Sequence, residues 1–143
     1  PDSSLLARET PPKPVRVISA ETARAVRRML EEVVRPGGTG TKASIAGYRI
    51  AGKTGTAWKS GPGGYSEDKY LSIFAGLAPA SEPRLAAVVM IDEPRGELYY
   101  GSDVAAPVFS EIMTEALRLL AIPPDALPAR DAGSVIQAMA GQQ

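Results

Sequence analysis

The sequence predicts an α+β fold in which an antiparallel sheet of about three strands is flanked by two helices. Two stretches carry apolar residues at helical spacing, and three stretches between them are rich in residues that favour strands. The turn at 80–83 is so short that the strands it joins are expected to be antiparallel neighbours. With 143 residues, 44% of them hydrophobic, the chain is able to bury a core.

The first helix is predicted to begin after an extended lead-in. Prolines at 1, 11, 12 and 14 oppose a helix within residues 1–18. Ser19 is a suitable N-cap, and Glu21 lies near the positive end of the helix. An apolar stripe follows, and the sequence PGG at 36–38 ends the helix. The stripe consists of Val26, Met29, Leu30, Val33 and Val34.

Three strands are predicted after a loop of glycine and threonine. They are expected at 48–58, 70–79 and 84–92. Between the first two, KSGPGGYSEDK at 59–69 is expected to form a loop, because glycine, proline and serine favour turns. The third strand ends in acidic residues to which no catalytic role is assigned.

The last helix is predicted to present a broad apolar face to the sheet. Ser102 is expected to cap it, with Pro107 either in its first turn or just before a start at Val108. The face comprises Val104, Val108, Phe109, Ile112, Met113, Leu117 and Leu120. Residues 1–122 are assigned to the folded domain, and the tail at 123–143 is expected to be loose because its periodicity is weak.

Composition and charge exclude several classes of function. Lys and Arg (16) balance Asp and Glu (16), so no net charge draws the chain to nucleic acid, and no nucleic-acid partner is expected. Because the chain has no Cys and no His, neither a metal nor a cofactor is expected, and any chemistry must use other side chains. The longest apolar run, 85–91, is too short to span a membrane, and Pro1 opens no signal sequence, so a targeting segment is expected upstream.

The stretch GYRIAGKT at 47–54 satisfies the pattern of a phosphate-binding loop. In a nucleotide hydrolase the Lys and Thr of this loop open a helix whose positive end faces the phosphates. Here Lys53 and Thr54 are followed by Gly55 and by the turn-forming SGPGG at 60–64, so no long helix is expected to begin there. A nucleotide hydrolase remains an alternative that the surrounding sequence disfavours.

On a strand at the edge of the sheet, the same residues form a different kind of site. Side chains alternate, so Thr54 and Thr56 share one face while Lys53 and Gly55 share the other. Two hydroxyls near an ammonium can bind a carboxylate, and an edge strand can pair with an extended peptide. The pattern indicates a receptor for a peptide carboxyl terminus, and the alternative is an ordinary strand with solvated Lys and Thr side chains.

Three segments, taken in order, resemble one family. AGKTGTA at 51–57, YLSIFAGLAPASEPRLAAVVMIDEP at 70–94 and APVFSEIMTEALRLL at 106–120 are similar to the C-terminal part of the transpeptidase domain of class B penicillin-binding proteins. Within that family the resemblance is to the division type, the penicillin-binding protein 3 or FtsI-like group. It is more specific than KTG alone, which serine β-lactamases share. The fold it implies is that of these transpeptidases and β-lactamases, with the chain holding one edge of the sheet.

The resemblance implies a peptidoglycan D,D-transpeptidase that cross-links stem peptides during septal cell-wall synthesis. In the family a serine of an SxxK motif attacks a stem peptide ending in D-Ala-D-Ala, and β-lactam antibiotics acylate the same serine. By resemblance, Lys53 supports the electrostatics of the site, and the hydroxyls of Thr54 and Thr56 bind the terminal carboxylate. The N–H of Thr56 is implied to be one donor of the oxyanion hole.

The same resemblance implies substrate contacts for three further residues. These are Gly55 on the strand, and Tyr99 and Tyr100, which are implied to form an aromatic wall beside the ligand. Trp58 departs from the family, which often has a basic residue at this position. It is expected to pack at the strand edge, and stacking against a ligand is the alternative.

Two of the three active-site motifs of the family are not expected in this chain. SEDK at 66–69 matches SxxK, but it follows KTG in a glycine-rich loop, whereas the serine of the family opens a helix far upstream. SxN is missing because the chain contains no Asn. Both motifs are expected N-terminal to Pro1, so the domain is expected to be incomplete and neither to acylate nor to fold stably alone.

A β-lactam sensor domain, which shares the fold and signals instead of synthesising, is the main alternative. The resemblance implies stem peptides and β-lactams as partners, together with divisome membrane proteins bound through upstream regions. It also implies a location at the periplasmic face of the bacterial inner membrane, with the anchor upstream.

Overall fold

The computed structural model describes residues 13–61 and 63–126, and it confirms the predicted α+β architecture. Three antiparallel strands follow a first helix and a short 3₁₀ turn, and a second helix comes last. The elements are α1 (Ala20–Glu32), the turn Thr41–Ala43, β1 (Ala51–Gly61), β2 (Gly64–Ala78), β3 (Leu85–Asp92) and α2 (Gly101–Leu119). In the described part of the chain, neither helix is long and apolar enough to cross a membrane.

The strands are hydrogen-bonded in the order β1-β2-β3, so among the described residues β1 and β3 have one neighbour each. Both pairs are antiparallel, as the short turn between β2 and β3 predicts. In the first pair Thr54 lies opposite Phe74, Thr56 lies opposite Ser72, and Lys53 lies opposite Ala75. Since opposed residues point to the same face, the two threonines lie on the face that carries Phe74.

The prediction of a loop at 59–69 is wrong, because most of these residues belong to the strands β1 and β2. β1 continues to Gly61, and Ser60 pairs with Tyr65 on the returning strand. Gly64 has a φ of +115°, a conformation that residues with a side chain rarely adopt. The glycines mark where the chain reverses. That both strands continue almost to this reversal is not evident from the sequence, because the residues beside the glycines are of types that favour loops.

The core lies between α2 and one face of the sheet. The rings of Phe74 and Phe109 are 4.8 Å apart with 56° between their planes, and both side chains are fully buried. The buried residues of α2 are Gly101, Ala105, Ala106, Phe109, Met113 and Leu117. The apolar face predicted for this helix is therefore partly wrong, since Val108 and Ile112 are 36% and 54% exposed. Small alanines allow the helix to approach the sheet closely on another side, a contact that hydrophobicity alone does not indicate.

The prediction that Ser102 caps α2 is also wrong. The N-cap is Tyr100, which makes no capping hydrogen bond with its side chain, while the Ser102 hydroxyl donates to Asp103 Oδ2 at 3.3 Å. Pro107 lies inside the helix, where its missing N–H removes one intrahelical hydrogen bond. The close approach of Gly101 to the sheet, described below, determines where this helix begins.

α1 begins as predicted, because the Ser19 hydroxyl accepts a hydrogen bond from the N–H of Thr22 at 3.0 Å. Its apolar stripe is buried at one end only: Val34 belongs to the core, whereas Val26 and Met29 are 45% and 68% exposed. The buried residue of this helix is Glu31, whose carboxylate accepts hydrogen bonds from Nε and Nη2 of Arg49, both at 2.9 Å. A charged residue buried only through a distant partner is not identifiable from the pattern of the helix.

The tail that was predicted to be loose is held to the domain at its first residues. Asp125 accepts hydrogen bonds from the N–H groups of Arg49 at 2.7 Å and Ser81 at 2.9 Å. Burial alone would raise the pKa of Asp125, but these donors outweigh it and hold the pKa below its ordinary value. Residues 123–126 are therefore part of the fold, whereas 127–143 lie outside the described residues.

Candidate functional site

Lys53 and Thr54 lie together on β1, the edge strand of the described sheet. Lys53 Nζ donates to the carbonyl oxygen of Thr54 at 2.8 Å and lies 3.5 Å from its hydroxyl oxygen. Among the residues that the structure describes, no carboxylate forms an ion pair with Lys53. Because both residues belong to a strand and no helix begins there, the phosphate-binding loop is excluded.

The hydroxyl of Thr56 has a partner on another element. Its Oγ1 accepts a hydrogen bond from the N–H of Gly101, the first residue of α2, at 3.1 Å. A Cβ at Gly101 would overlap the carbonyl oxygens of Gly55 and Ile73, so only glycine fits between helix and sheet. Sequence reasoning missed Gly101, although its position directly after two tyrosines and before a helix was a usable signal.

A third hydroxyl completes the group. Thr39, in the loop after α1, has its Oγ1 3.2 Å from that of Thr54. The predicted carboxylate-binding residues are thus brought together, with Lys53 and Thr39 beside Thr54 and the backbone of Gly101 beside Thr56. Thr39 was not predicted to be a site residue, because it lies 15 residues before Thr54 and no sequence pattern connects the two positions.

An aromatic cleft opens next to Thr56. Its volume is about 350 Å³, and it is lined by Thr56, Trp58, Tyr70, Tyr99 and Tyr100. The rings of Tyr70 and Tyr99 are stacked, with centroids 4.0 Å apart and 15° between planes. Trp58 is 59% exposed and lines the cleft, a position that suits the alternative of stacking against a ligand better than packing at the strand edge. The cleft offers flat apolar surfaces beside the hydroxyl group of the site.

Two hydrogen bonds hold this aromatic wall. The buried hydroxyl of Ser72 donates to the carbonyl oxygen of Tyr99, and the Tyr99 hydroxyl donates to that of Tyr100 at 3.2 Å. The hydrogen bond to Tyr100, together with loss of solvent, raises the pKa of Tyr99 to about 12, so the phenol is neutral at physiological pH. Ser72, a lone polar residue in the apolar run YLSIFAGL, was missed by sequence reasoning.

A separate group of charges lies beyond the cleft. Lys59 Nζ lies 2.7 Å from Asp92 Oδ1 and 2.8 Å from Glu93 Oε1. The hydrogen bonds to Asp92 and Glu93 raise the pKa of Lys59, and the hydrogen bond from Lys59 lowers the pKa of Glu93. These acidic residues are thus occupied by a neighbouring lysine, which agrees with assigning them no catalytic role.

The SEDK stretch does not form a nucleophile and base pair. Ser66 donates its hydroxyl hydrogen to Asp68 Oδ1 at 2.8 Å, and Lys69 Nζ lies 3.7 Å from Glu93 Oε1. Lys69 thus pairs with a carboxylate just after β3, whereas the Ser66 hydroxyl is bound to a carboxylate of its own strand. No lysine therefore activates Ser66 in the described part of the chain.

Comparisons with known proteins give consistent results. Residues 3–114 match the family described as the penicillin-binding protein transpeptidase domain. The chain is 52% identical over 122 residues to the peptidoglycan D,D-transpeptidase FtsI of Escherichia coli strain K12, covering 85% of this chain and 21% of that protein. It is 46% identical over 123 residues to the probable peptidoglycan D,D-transpeptidase PbpC of Pseudomonas aeruginosa, covering 85% of this chain and 22% of that protein.

One solved structure shows the same fold. It is the apo transpeptidase domain of penicillin-binding protein 3 from Burkholderia pseudomallei, with a TM-score of 0.73 and 46% sequence identity. The match covers 83% of this chain and 36% of that one. The chain spans about a fifth of the length of the curated relatives it matches, 21% in the case of the Escherichia coli protein.

Proposed function

Because the chain belongs to the penicillin-binding protein transpeptidase family, we propose that it forms the carboxylate-binding part of a peptidoglycan D,D-transpeptidase. The complete enzyme cross-links stem peptides during septal cell-wall synthesis, and β-lactams acylate it. The transpeptidase names of the relatives and the 52% identity to FtsI support this activity over that of a sensor domain.

One observation carries the proposal, namely the hydroxyl and ammonium groups on an edge strand beside an open cleft. Thr56 Oγ1 accepts a hydrogen bond from the N–H of Gly101, so the hydroxyl proton of Thr56 can still be donated to a ligand. Thr54 contributes a second hydroxyl on the same face, and Lys53 adds a positive charge that no described carboxylate neutralises. Such a group suits the terminal carboxylate of a stem peptide or the carboxylate of a β-lactam.

The backbone of β1 serves the same reaction. A stem peptide aligned along this edge presents its penultimate carbonyl near Thr56, whose N–H acts as one oxyanion donor. Gly55 has no side chain to obstruct the peptide, and a Cβ there would meet only Ile73, at an ordinary 3.5 Å. The loss of one oxyanion donor typically costs about 3 kcal/mol of barrier.

The covalent steps require a serine from another part of the complete protein. Its oxygen attacks the penultimate carbonyl, the C–N bond to the last D-Ala breaks, and D-Ala leaves as an amine carrying the proton. An amine of a second stem peptide then attacks the ester, and the serine oxygen regains a proton as it leaves. This chain contributes binding of the terminal carboxylate in the first step, before D-Ala leaves, and stabilisation of the oxyanion in both steps.

The aromatic cleft binds the side chain of the ligand. Tyr99 and Tyr100 form one wall, and Trp58 extends it toward the strand. Their neutral rings favour apolar and aromatic groups over charged ones.

The proposed location is the periplasmic face of the bacterial inner membrane, because the cell wall is built on that side. The anchor and the contacts with divisome membrane proteins are assigned to upstream regions. A balanced charge of 16 basic and 16 acidic residues supports the absence of a nucleic-acid partner.

Labelling of the complete protein with a fluorescent penicillin tests the proposal. We expect a covalent adduct that unlabelled penicillin prevents, and release of D-Ala from a stem-peptide or thioester surrogate with repeated turnover. An adduct without turnover would identify a sensor. Failure to form any adduct, with nucleotide binding that depends on magnesium, would refute the proposal.

A further inference from the structure

We propose that Thr39 is a positioning residue that directs the hydroxyl proton of Thr54 at the ligand carboxylate. This inference rests on the proposed function, because it concerns the same site. Thr39 Oγ1 and Thr54 Oγ1 are 3.2 Å apart, a distance at which either hydroxyl can donate to the other. Sequence reasoning from the strand alone does not reach Thr39, which lies in the loop between α1 and the 3₁₀ turn.

The hydrogen-bonding capacity of the Thr54 hydroxyl determines where its proton points. A threonine hydroxyl has one proton to donate and two lone pairs to accept with. Lys53 Nζ, which can only donate, lies 3.5 Å from Thr54 Oγ1 and uses one lone pair. When Thr39 donates to the second lone pair, the proton of Thr54 has no acceptor within the group and points outward. A carboxylate that arrives there accepts it in a charge-assisted hydrogen bond.

The backbone on both sides of Thr39 is held in place by hydrogen bonds to the end of α1 and the residues after it. The N–H of Gly38 donates to Arg35 at 2.8 Å, and the N–H of Gly40 donates to Val33 at 2.8 Å. A Cβ at Gly38 would overlap backbone atoms of Val33, so this residue must be glycine. Thr39 is thus exposed at its tip but carried by a loop with little freedom.

The loop that carries Thr39 also packs against the residue opposite Thr54. A Cβ at Gly40 would lie 2.9 Å from Cε2 of Phe74, so the buried Gly40 sits directly against that ring. Phe74 is the residue opposite Thr54 in the β1–β2 pair. The loop that carries Thr39 therefore packs on the same strand pair that presents Thr54, and this packing brings the two hydroxyls within 3.2 Å of each other.

The 3₁₀ turn that follows the loop is tied to α2, the element that orients the other hydroxyl. Lys42 Nζ lies 2.7 Å from Oδ1 of Asp103 in the first turn of α2. The same turn begins with Gly101, whose N–H donates to Thr56. Both carboxylate-binding hydroxyls are thus oriented from one side, Thr54 by the loop and Thr56 by the helix.

The test compares Thr39→Val, which removes the hydroxyl at nearly constant shape, with Thr39→Ser, which retains it. Acylation rates of the complete protein are measured with a fluorescent penicillin and with its methyl ester, which lacks the anionic oxygen. We expect Thr39→Val to slow labelling by the acid about tenfold, the effect of a lost charge-assisted hydrogen bond, and to leave the ester rate unchanged. Thr39→Ser should restore the acid rate.

The ratio of the two rates is the decisive quantity, because partial unfolding lowers both rates equally. A ratio in Thr39→Val equal to that of the wild type overturns the proposal, whether both rates fall or neither does. A loss of the acid rate in Thr39→Ser as large as in Thr39→Val also overturns it. The proposed function would fail differently, through a wild-type protein that neither probe labels.

Discussion

The hydroxyl of Thr56 accepts a hydrogen bond from the backbone N–H of Gly101 at 3.1 Å, and this contact joins the edge strand to the start of α2. The strand that presents the proposed carboxylate-binding groups is therefore joined to the helix that covers the core. Gly101 lies so close to Gly55 and Ile73 that a side chain at this position would separate them.

Gly101→Ala should reduce both stability and acylation. Its new methyl group overlaps two backbone carbonyl oxygens, so helix and strand must move apart, at a cost of about 2 kcal/mol. Urea denaturation and penicillin labelling of the complete protein measure the two effects. The matched control is Gly63→Ala at the hairpin tip, where a Cβ meets nothing within 4 Å, and its stability should change by less than about 0.5 kcal/mol. Equal stability of the two variants would contradict the close approach.

The two threonines of the strand should respond differently to replacement by valine. Thr54→Val should weaken acylation strongly with almost no change in melting temperature, because its hydroxyl partners are exposed. Thr56→Val should weaken acylation and also cost about 1 kcal/mol, because it leaves the N–H of Gly101 without its acceptor. Thr56→Ser serves as the control that keeps the acceptor. A large loss of stability in Thr54→Val would mean that this side chain points into the core.

The partly buried ion pair between Glu31 and Arg49 should contribute more stability than the exposed pair between Glu32 and Arg35. Glu31→Ala leaves a guanidinium that is 42% exposed, so its cost should be about 2 kcal/mol, below that of a fully buried pair. Glu32→Ala, whose partner Arg35 is 59% exposed, should cost less than about 0.5 kcal/mol. Denaturant titration of both variants makes the comparison, and equal losses would show that burial of Glu31 is energetically unimportant.

Asp125 should make stability depend on pH in the acid range. Its pKa is lower in the folded protein than in the unfolded chain, so its contribution is present above the unfolded pKa and is lost as the pH falls through the folded one. The stability difference between wild type and Asp125→Asn should therefore shrink between about pH 5 and pH 2. Denaturation at a series of pH values measures it, and a difference independent of pH would contradict the assignment.

Tyr99→Leu should lower the efficiency of acylation by β-lactams with aromatic side chains more than by those with small aliphatic side chains. The lost stacking surface is worth about 1 kcal/mol, or about a fivefold lower acylation efficiency. Tyr65→Leu is the control, because Tyr65 is 74% exposed on the hairpin and does not line the cleft. A similar loss with both classes of ligand would place the ligand side chain elsewhere.

Much of the fold was predictable because it depends on local patterns. The Ser19 cap, the two helices and the antiparallel pair around the turn at 80–83 follow from residue types at fixed spacing. The errors at 59–69, at Ser102 and on the exposed side of α2 share one cause. Each depends on packing or pairing that residue types alone do not show, namely the returning strand of the hairpin at 59–69 and the sheet beneath the helix for the two errors in α2.

Residue types alone placed Lys53, Thr54 and Thr56 on a strand, since Gly55 and the glycines at 61–64 disfavour a helix there, and strand alternation assigned the two hydroxyls to one face. The contacts of those hydroxyls depend on the tertiary structure. Thr39 and Gly101 reach them through backbone approaches that glycine alone permits, and such approaches arise when separate elements meet, not from any spacing along the chain.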